Sequence, residues 1–164
     1  MPTKVPIRYL PLTLTEADKK KQSKMLIKSR KMYKNKKYYT RKNVASYHNK
    51  TSKHIQNARK LYNVDTIVPN ERLSIATGCS VDALQKIVNK GEGAYFSSGS
   101  RPNQTPQSWG LARLASSITA GKSAAVDYDI LENGCNHKKT AFKLAKKARR
   151  KYNHGQSTTR RTLL

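Results

Sequence analysis

Cationic residues are concentrated in two separate stretches of this 164-residue chain, and this distribution constrains the fold more than any other feature. Residues 1–62 contain 18 Lys and Arg against 2 acidic residues, and residues 135–164 contain 10 against none. The stretch between them is nearly neutral, with 6 basic and 7 acidic residues. Like charges at this density repel one another unless they meet a polyanion. We therefore expect basic arms that contact nucleic acid, anionic lipid or an acidic protein surface.

Helical periodicity is the dominant pattern, and no run of alternating β-branched residues accompanies it. Thr15, Asn70 and Ser80 are typical N-caps of helices, and Gly91 is expected to end the helix that Ser80 begins. The predicted helices cover residues 15–33, 51–62, 70–78, 80–91, 108–119, 124–133 and 140–152. The predicted fold class is mainly α: a single compact helical domain with extended basic N- and C-terminal arms.

Charge and periodicity together divide the chain into four segments. They are an extended apolar arm (1–14), a basic helical and aromatic-basic region (15–62), a near-neutral helical core with a glycine-rich loop (63–134), and a basic helix with a tail (135–164).

The N-terminal arm contains prolines at positions 2, 6 and 11, so no helix runs through it. An ordered segment must recover its lost conformational entropy from contacts, and this arm is too short to form a core by itself. We therefore expect another chain to bury its apolar side chains. The predicted arm interface consists of Ile7, Tyr9, Leu10 and Leu12.

Tyrosines alternate with cationic residues between positions 34 and 50. This mixture suits nucleic-acid grooves, where Lys and Arg meet phosphates and aromatic rings stack on bases. Alternatively, the tyrosines cover a small core and the lysines are merely solvated. The C-terminal helix also lines one face with cations. The candidate polyanion-binding residues are Lys36, Lys37, Arg41, Lys42, Arg149, Arg150 and Lys151.

The two predicted helices on either side of residues 77–80 have the outline of a helix-turn-helix. The second helix offers DNA bases Asp82, Gln85, Lys86 and Asn89, which include an acid and no arginine. Helix hairpins of this kind are also common packing units, so both interpretations stay open.

The glycine-rich stretch 91–127 contains only two arginines, Arg101 and Arg113, together with the single Trp109. A buried arginine often fixes a loop by donating to several backbone carbonyls, which is the interpretation we favour. The alternative is that these residues clamp a phosphate or a carboxylate of a partner. We expect Trp109 to pack in the core.

No arrangement of residues indicates catalysis. The four histidines are scattered, and none has a second ligand at metal-binding spacing or a serine to activate. We predict a non-enzymatic protein with no cofactor, no metal and no small-molecule substrate. Cys79 and Cys135 lack zinc-site spacing, and so few cysteines argue against a disulfide scaffold and suit a reducing compartment.

Three motifs carry a resemblance to a known family: RYLP at residues 8–11, SSGSRPNQT at 97–105 and SWGLARLAS at 108–116. With the lysine-rich arms, they resemble an uncharacterised basic domain family of nucleocytoplasmic large DNA viruses of the chlorovirus and mimivirus type. The resemblance implies a virion component made in the host cytoplasm.

The first hypothesis is therefore a minor capsid protein that cements neighbouring capsid proteins on the inner face of a large icosahedral capsid. Its partners would be those proteins, with viral DNA or the anionic inner membrane facing its basic surface. The alternative is a non-specific DNA-binding protein of the virion core or packaging machinery.

Overall fold

The computed structural model describes residues 3–157 and 159–164, and most of them are helical. This confirms the predicted mainly α class. None of the described helices is both long and apolar enough to cross a membrane. The helices are α1 (Glu16–Lys34), α2 (Lys53–Tyr62), α3 (Glu71–Thr77), α4 (Val81–Ser97), α5 (Pro106–Ser117), α6 (Lys122–Val126), α7 (Tyr128–Gly134) and α8 (Thr140–Lys151). Two short strands, β1 (Lys4–Pro6) and β2 (Arg161–Leu163), complete the fold.

The described residues form two compact units, each assembled from separate stretches of sequence. The first unit contains residues 3–50, 92–109 and 159–164, and the second contains residues 51–91 and 110–157. Their boundaries do not coincide with the changes in charge along the sequence, because the basic stretch 1–62 contributes to both units.

Side-chain caps begin the predicted helices as expected. Thr15 Oγ1 accepts a hydrogen bond from the backbone N–H of Asp18 (3.2 Å), which caps α1. The side chain of Asn70 accepts one from Leu73 N–H (2.9 Å) at the start of α3. Such contacts satisfy backbone donors that have no partner within the helix. These local signals were readable from the sequence.

The prediction that Gly91 ends a helix is wrong, because α4 continues to Ser97. Gly91 lies inside the helix, where an added Cβ would be only 2.6 Å from the Cα of Gly110 in α5. The missing side chain therefore allows two helix backbones to approach closely, which is the second common use of glycine.

The N-terminal arm packs partly on its own chain, which corrects the prediction that another chain buries Tyr9 and Leu10. Tyr9 and Leu10 are 6% and 1% exposed and share a cluster with Val5 and Leu26 of the first unit. Ile7 is half-buried, and Leu12 alone of the predicted interface is exposed, at 69%. Sequence could not show this because the partners of the arm lie far along the chain.

The two basic arms also pair with each other. Strands β1 and β2 are antiparallel, with Val5 opposite Thr162. The N–H of Leu164 donates to the carbonyl of Thr3 (2.9 Å) at one end of this small sheet. Residues 161–164 of the tail are therefore paired with the N-terminal arm of the same chain.

The second unit has the larger core and contains a disulfide between Cys79 and Cys135. The low cysteine count predicted no disulfide scaffold, and this single bridge corrects that prediction. Backbone bonds flank the bridge on both sides: Ser80 N–H donates to Gly134 O (2.8 Å), and Asn136 N–H donates to Gly78 O (2.7 Å). The pairing was invisible in sequence because 56 positions separate the cysteines. The buried side chains include Leu84, Ile87, Leu114, Ile118, Leu131 and Phe142.

Candidate nucleic-acid interface

A tight turn at the end of α1 begins the aromatic-basic segment. The N–H of Lys37 donates to Met32 O (2.9 Å), and the N–H of Lys36 donates to Tyr33 O (2.9 Å). These two bonds form a Schellman motif, which satisfies the last carbonyls of the helix. Lys36 has a φ of 59°, so a lysine occupies the left-handed position that glycine usually takes. The chain direction reverses here and brings Tyr38 back toward Tyr33.

Three aromatic rings meet beyond this turn, and we name them the Tyr38 cluster: Tyr33, Tyr38 and Phe96. The ring centroid of Tyr38 lies 5.0 Å from that of Phe96 and 6.3 Å from that of Tyr33. Tyr38 nevertheless remains 69% exposed, and Tyr33 is 39% exposed. The cluster therefore presents aromatic surface to solvent.

Lysines accompany the exposed rings along the sequence. Lys34, Lys36, Lys37 and Lys42 are all exposed. Among the residues that the structure describes, none of these four lysines forms an ion pair with a carboxylate. Their charges are therefore free to meet phosphate.

Arg41 does not belong to this cationic surface, which corrects its prediction as a polyanion-binding residue. It is only 6% exposed. Its Nη1 donates to Ser29 Oγ (2.9 Å) and to the carbonyl of Tyr95 (2.8 Å), and its Nη2 donates to Ser100 Oγ (2.8 Å). The guanidinium carbon also lies 3.8 Å from the centroid of the Tyr95 ring. Arg41 thus fastens α1, the end of α4 and the following loop to one another.

The charge of Arg41 is buried against neutral oxygens. Burial lowers the pKa of its guanidinium from the ordinary value. Each hydrogen-bond acceptor it serves would lose its donor if the side chain were removed, which is costly in a buried position. Arg41 therefore has the loop-fixing role that was predicted for Arg101 and Arg113.

Asn103 fixes the same loop to residues 44–49. Its Oδ1 accepts from Val44 N–H (2.7 Å), and its Nδ2 donates to the carbonyls of Val44 (3.1 Å) and Tyr47 (3.0 Å). Its φ of 61° is one that asparagine tolerates better than most residues. Sequence reasoning missed Asn103, although an asparagine after proline in a glycine-rich loop is a recognised turn signal.

Arg101, Trp109 and Arg113 have three different environments. Arg101 is exposed, so the prediction that it fixes the loop is wrong. Arg113 instead donates to both carboxylate oxygens of the buried Asp127, with Nη2–Oδ1 at 2.7 Å and Nε–Oδ2 at 2.9 Å. Trp109 is half-buried and meets the Tyr9 ring edge-on, with centroids 6.3 Å apart.

Helix α8 has a continuous cationic face. Its apolar face is buried in the second unit through Ala141, Phe142, Ala145 and Ala148. Arg149, which was predicted to bind polyanion, is half-buried. Its guanidinium lies over the ring of Tyr128, and its Nε donates a hydrogen bond to Nδ1 of His154. The exposed cations at helical spacing are Lys143, Lys146, Lys147, Arg150 and Lys151.

The polar residues of the possible DNA-reading helix pair with one another. Lys86 Nζ lies 3.1 Å from Asp82 Oδ2, and Gln85 Nε2 donates to Asn89 Oδ1 (2.9 Å). All four remain on the surface of α4. Whether this hairpin reads bases stays a prediction.

These features define a class: a mainly helical, strongly basic protein with an exposed aromatic cluster and a separate cationic helix. Residues 6–134 match the sequence family described as Family of unknown function (DUF5824). Because the match covers most of the chain, this protein belongs to that family. The matched region includes the Tyr38 cluster and ends before α8. Searches of curated proteins and of solved structures gave no match. The resemblance to a family of large DNA viruses stays a prediction.

Proposed function

We propose that this protein binds nucleic acid without sequence preference, through phosphate contacts. The observation that carries the proposal is the exposed cationic face of α8 in a chain with a net charge of +25. Among the described residues, the ion pairs involve only Asp82 and Asp127 as acids, and neither pairs with a cation of α8. The cations of α8 therefore repel one another. Binding to phosphates relieves this repulsion and releases counterions from the nucleic acid.

The packing of α8 favours nucleic acid over a lipid surface. A basic amphipathic helix binds a membrane interface by inserting its apolar face among the lipids. The apolar face of α8 is already used, because Phe142 is 1% exposed and Ala141, Ala145 and Ala148 are fully buried. Apart from Thr140 and the half-buried Leu144, the side chains of α8 that remain accessible to a ligand are lysines and arginines.

Sequence-independent binding follows from the kind of residues exposed. Lysine ammonium groups act as point charges toward phosphate, whereas base reading relies on bidentate side chains held toward a groove. The exposed amides of α4, Gln85 and Asn89, are engaged with each other. Contacts to phosphates position a protein on nucleic acid and carry no sequence information.

Neutralising the α8 face should weaken binding and flatten its salt dependence. We expect the triple variant Lys143→Gln, Lys147→Gln, Arg150→Gln to reduce the log–log slope of affinity against salt by about 2 to 3, since each phosphate contact contributes about 0.9. Fluorescence anisotropy with a labelled duplex over about 50–200 mM salt measures this slope.

The matched control removes three exposed cations from α2 and α3 of the same unit: Lys53→Gln, Lys60→Gln and Arg72→Gln. It should change the slope by less than about 1. Equal effects of the two triple variants would show that only net charge matters and that α8 is no interface. Tighter binding of the parent to phosphatidylserine vesicles than to the duplex would favour lipid and contradict the proposal.

A structural role in a viral capsid is the second proposal, supported by the motif resemblance and by Leu12. The N–H of Leu14 donates to the carbonyl of Pro11 (3.2 Å), and the resulting turn leaves Leu12 exposed. Because Tyr9 and Leu10 are occupied within the chain, cementing of neighbours would depend on this turn rather than on the whole arm.

We expect Leu12→Arg to leave the free energy of unfolding within about 0.5 kcal/mol of the parent, as for other surface changes. The same variant should fail to enter assembled particles, which quantitative immunoblotting of purified particles measures. Leu61→Arg, which changes an exposed leucine of the second unit, is the control. Normal incorporation of Leu12→Arg would exclude a contact through this turn.

A further inference from the structure

We propose that the Tyr38 cluster is a stacking platform for an unpaired base, so that the nucleic acid this protein prefers is single-stranded. This inference rests on the proposed function and specifies its ligand. It concerns the first unit only, whereas the phosphate contacts proposed for α8 belong to the second unit. The two proposals can therefore be tested separately.

The geometry of the cluster is that of a supported ring. Tyr38 is 69% exposed, yet its ring is tilted against two other aromatic rings, those of Tyr33 and Phe96, instead of extending alone into solvent. Phe96 is itself supported by the fully buried Tyr95, whose ring meets it nearly perpendicularly at 5.2 Å. A ring fixed in this way loses little conformational freedom when a base stacks on it, which favours binding.

Arg41 holds Tyr95, which packs against Phe96, in place. Its Nη1 holds the carbonyl of Tyr95, and its backbone N–H donates to the Tyr95 hydroxyl (2.8 Å). Ser29 Oγ, which accepts from Arg41, in turn donates to the carbonyl of Phe96 (3.3 Å). A buried polar network thus holds Tyr95 and the backbone of Phe96 in place, while the ring of Tyr38 remains exposed to solvent.

The chemistry around the ring selects the ligand. Lys34, Lys36 and Lys37 adjoin Tyr38 in sequence and are exposed without a carboxylate partner. A cationic surface with an exposed ring complements a strand that offers both phosphates and free base faces. In a duplex the base faces are already stacked on one another, so only the phosphates are available to contact this surface. The ring should therefore contribute to single-strand affinity alone.

The turn before the ring is consistent with a requirement for charge. Lys36 adopts the left-handed conformation that glycine would adopt without steric cost. The lysine in this position adds a cation two residues before Tyr38. The local backbone strain and the exposed ring thus occur in the same short segment, as is common for binding sites.

The test compares the full-length parent with Tyr38→Ala, using a labelled oligo(dT) strand and a labelled duplex of the same length. We expect Tyr38→Ala to weaken binding of oligo(dT) by about tenfold, within the range found for single stacking contacts, and to change duplex binding by less than about twofold. Tyr38→Phe keeps the ring and should bind both ligands like the parent. Leu61→Ala removes a comparably exposed apolar side chain of the second unit and should have no effect.

The other possible results of this experiment contradict one or both proposals. Equal losses for strand and duplex, or no loss for either, would overturn the stacking platform while leaving sequence-independent binding intact. A parent that binds neither ligand at low salt would overturn both proposals. Because Tyr38 is exposed, Tyr38→Ala should melt like the parent; if it does not, the Tyr38→Phe variant and a Tyr38→Leu variant decide whether a ring is required.

Discussion

Replacing Arg41 with methionine is expected to destabilise the first unit by about 3 kcal/mol. The substitution removes the buried donors that serve Ser29, Tyr95 and Ser100, and a buried acceptor without a partner costs about 1–3 kcal/mol. Urea denaturation followed by the fluorescence of Trp109 measures the effect, because this is the only tryptophan and it lies in the first unit. Arg41→Lys should recover only part of the loss, since an ammonium lacks the planar fork of donors.

The neighbouring Lys42→Met variant is the control for this experiment. Lys42 is exposed, so its loss should change the free energy of unfolding by less than about 0.5 kcal/mol. If Arg41→Met were as stable as the parent but bound nucleic acid more weakly, the original assignment of Arg41 as a phosphate contact would be right.

Removing the disulfide should have the largest effect on the second unit. The bridge spans 56 positions, and closing a loop of that length restricts the unfolded chain by about 4 kcal/mol in the chain-entropy description. We expect the Cys79→Ser, Cys135→Ser double variant to lose stability of that order. Urea denaturation followed by far-ultraviolet circular dichroism, with and without dithiothreitol, measures it.

The double variant should not respond to reductant, which separates loss of the bridge from other effects of the reagent. Two reactive thiols in the native, unreduced protein, counted with a thiol-specific chromophore, would contradict the bridge. So would a parent protein whose unfolding is unchanged by dithiothreitol.

Local signals in the sequence predicted most of the helices. Thr15 and Asn70 cap helices where expected, because a cap requires only a suitable side chain and a backbone donor three residues later. The cationic face of α8 was also readable, because five exposed cations recur at helical spacing. In these cases a prediction that depended only on neighbours in sequence agrees with the structure.

Predictions that depended on distant partners were wrong for a common reason. Arg41 lies in a run of basic residues, and only the folded chain brings Tyr95 and Ser100 to it. Gly91 carries the usual signal for a helix end, but Gly110 supplies a different reason for a glycine. Tyr9 looks available to another chain in the sequence, but in the structure it belongs to a buried cluster against which Trp109 and Leu164 pack. Contacts across long separations cannot be read from a single sequence.

The pairing of β1 with β2 closes a very long loop in the chain. Thr3 and Leu164 are joined by a backbone hydrogen bond although 161 positions separate them. Closing so long a loop costs more conformational entropy than a local contact does. The pairing therefore depends on the apolar cluster beside it, in which Val5 is buried and against which Leu164 packs.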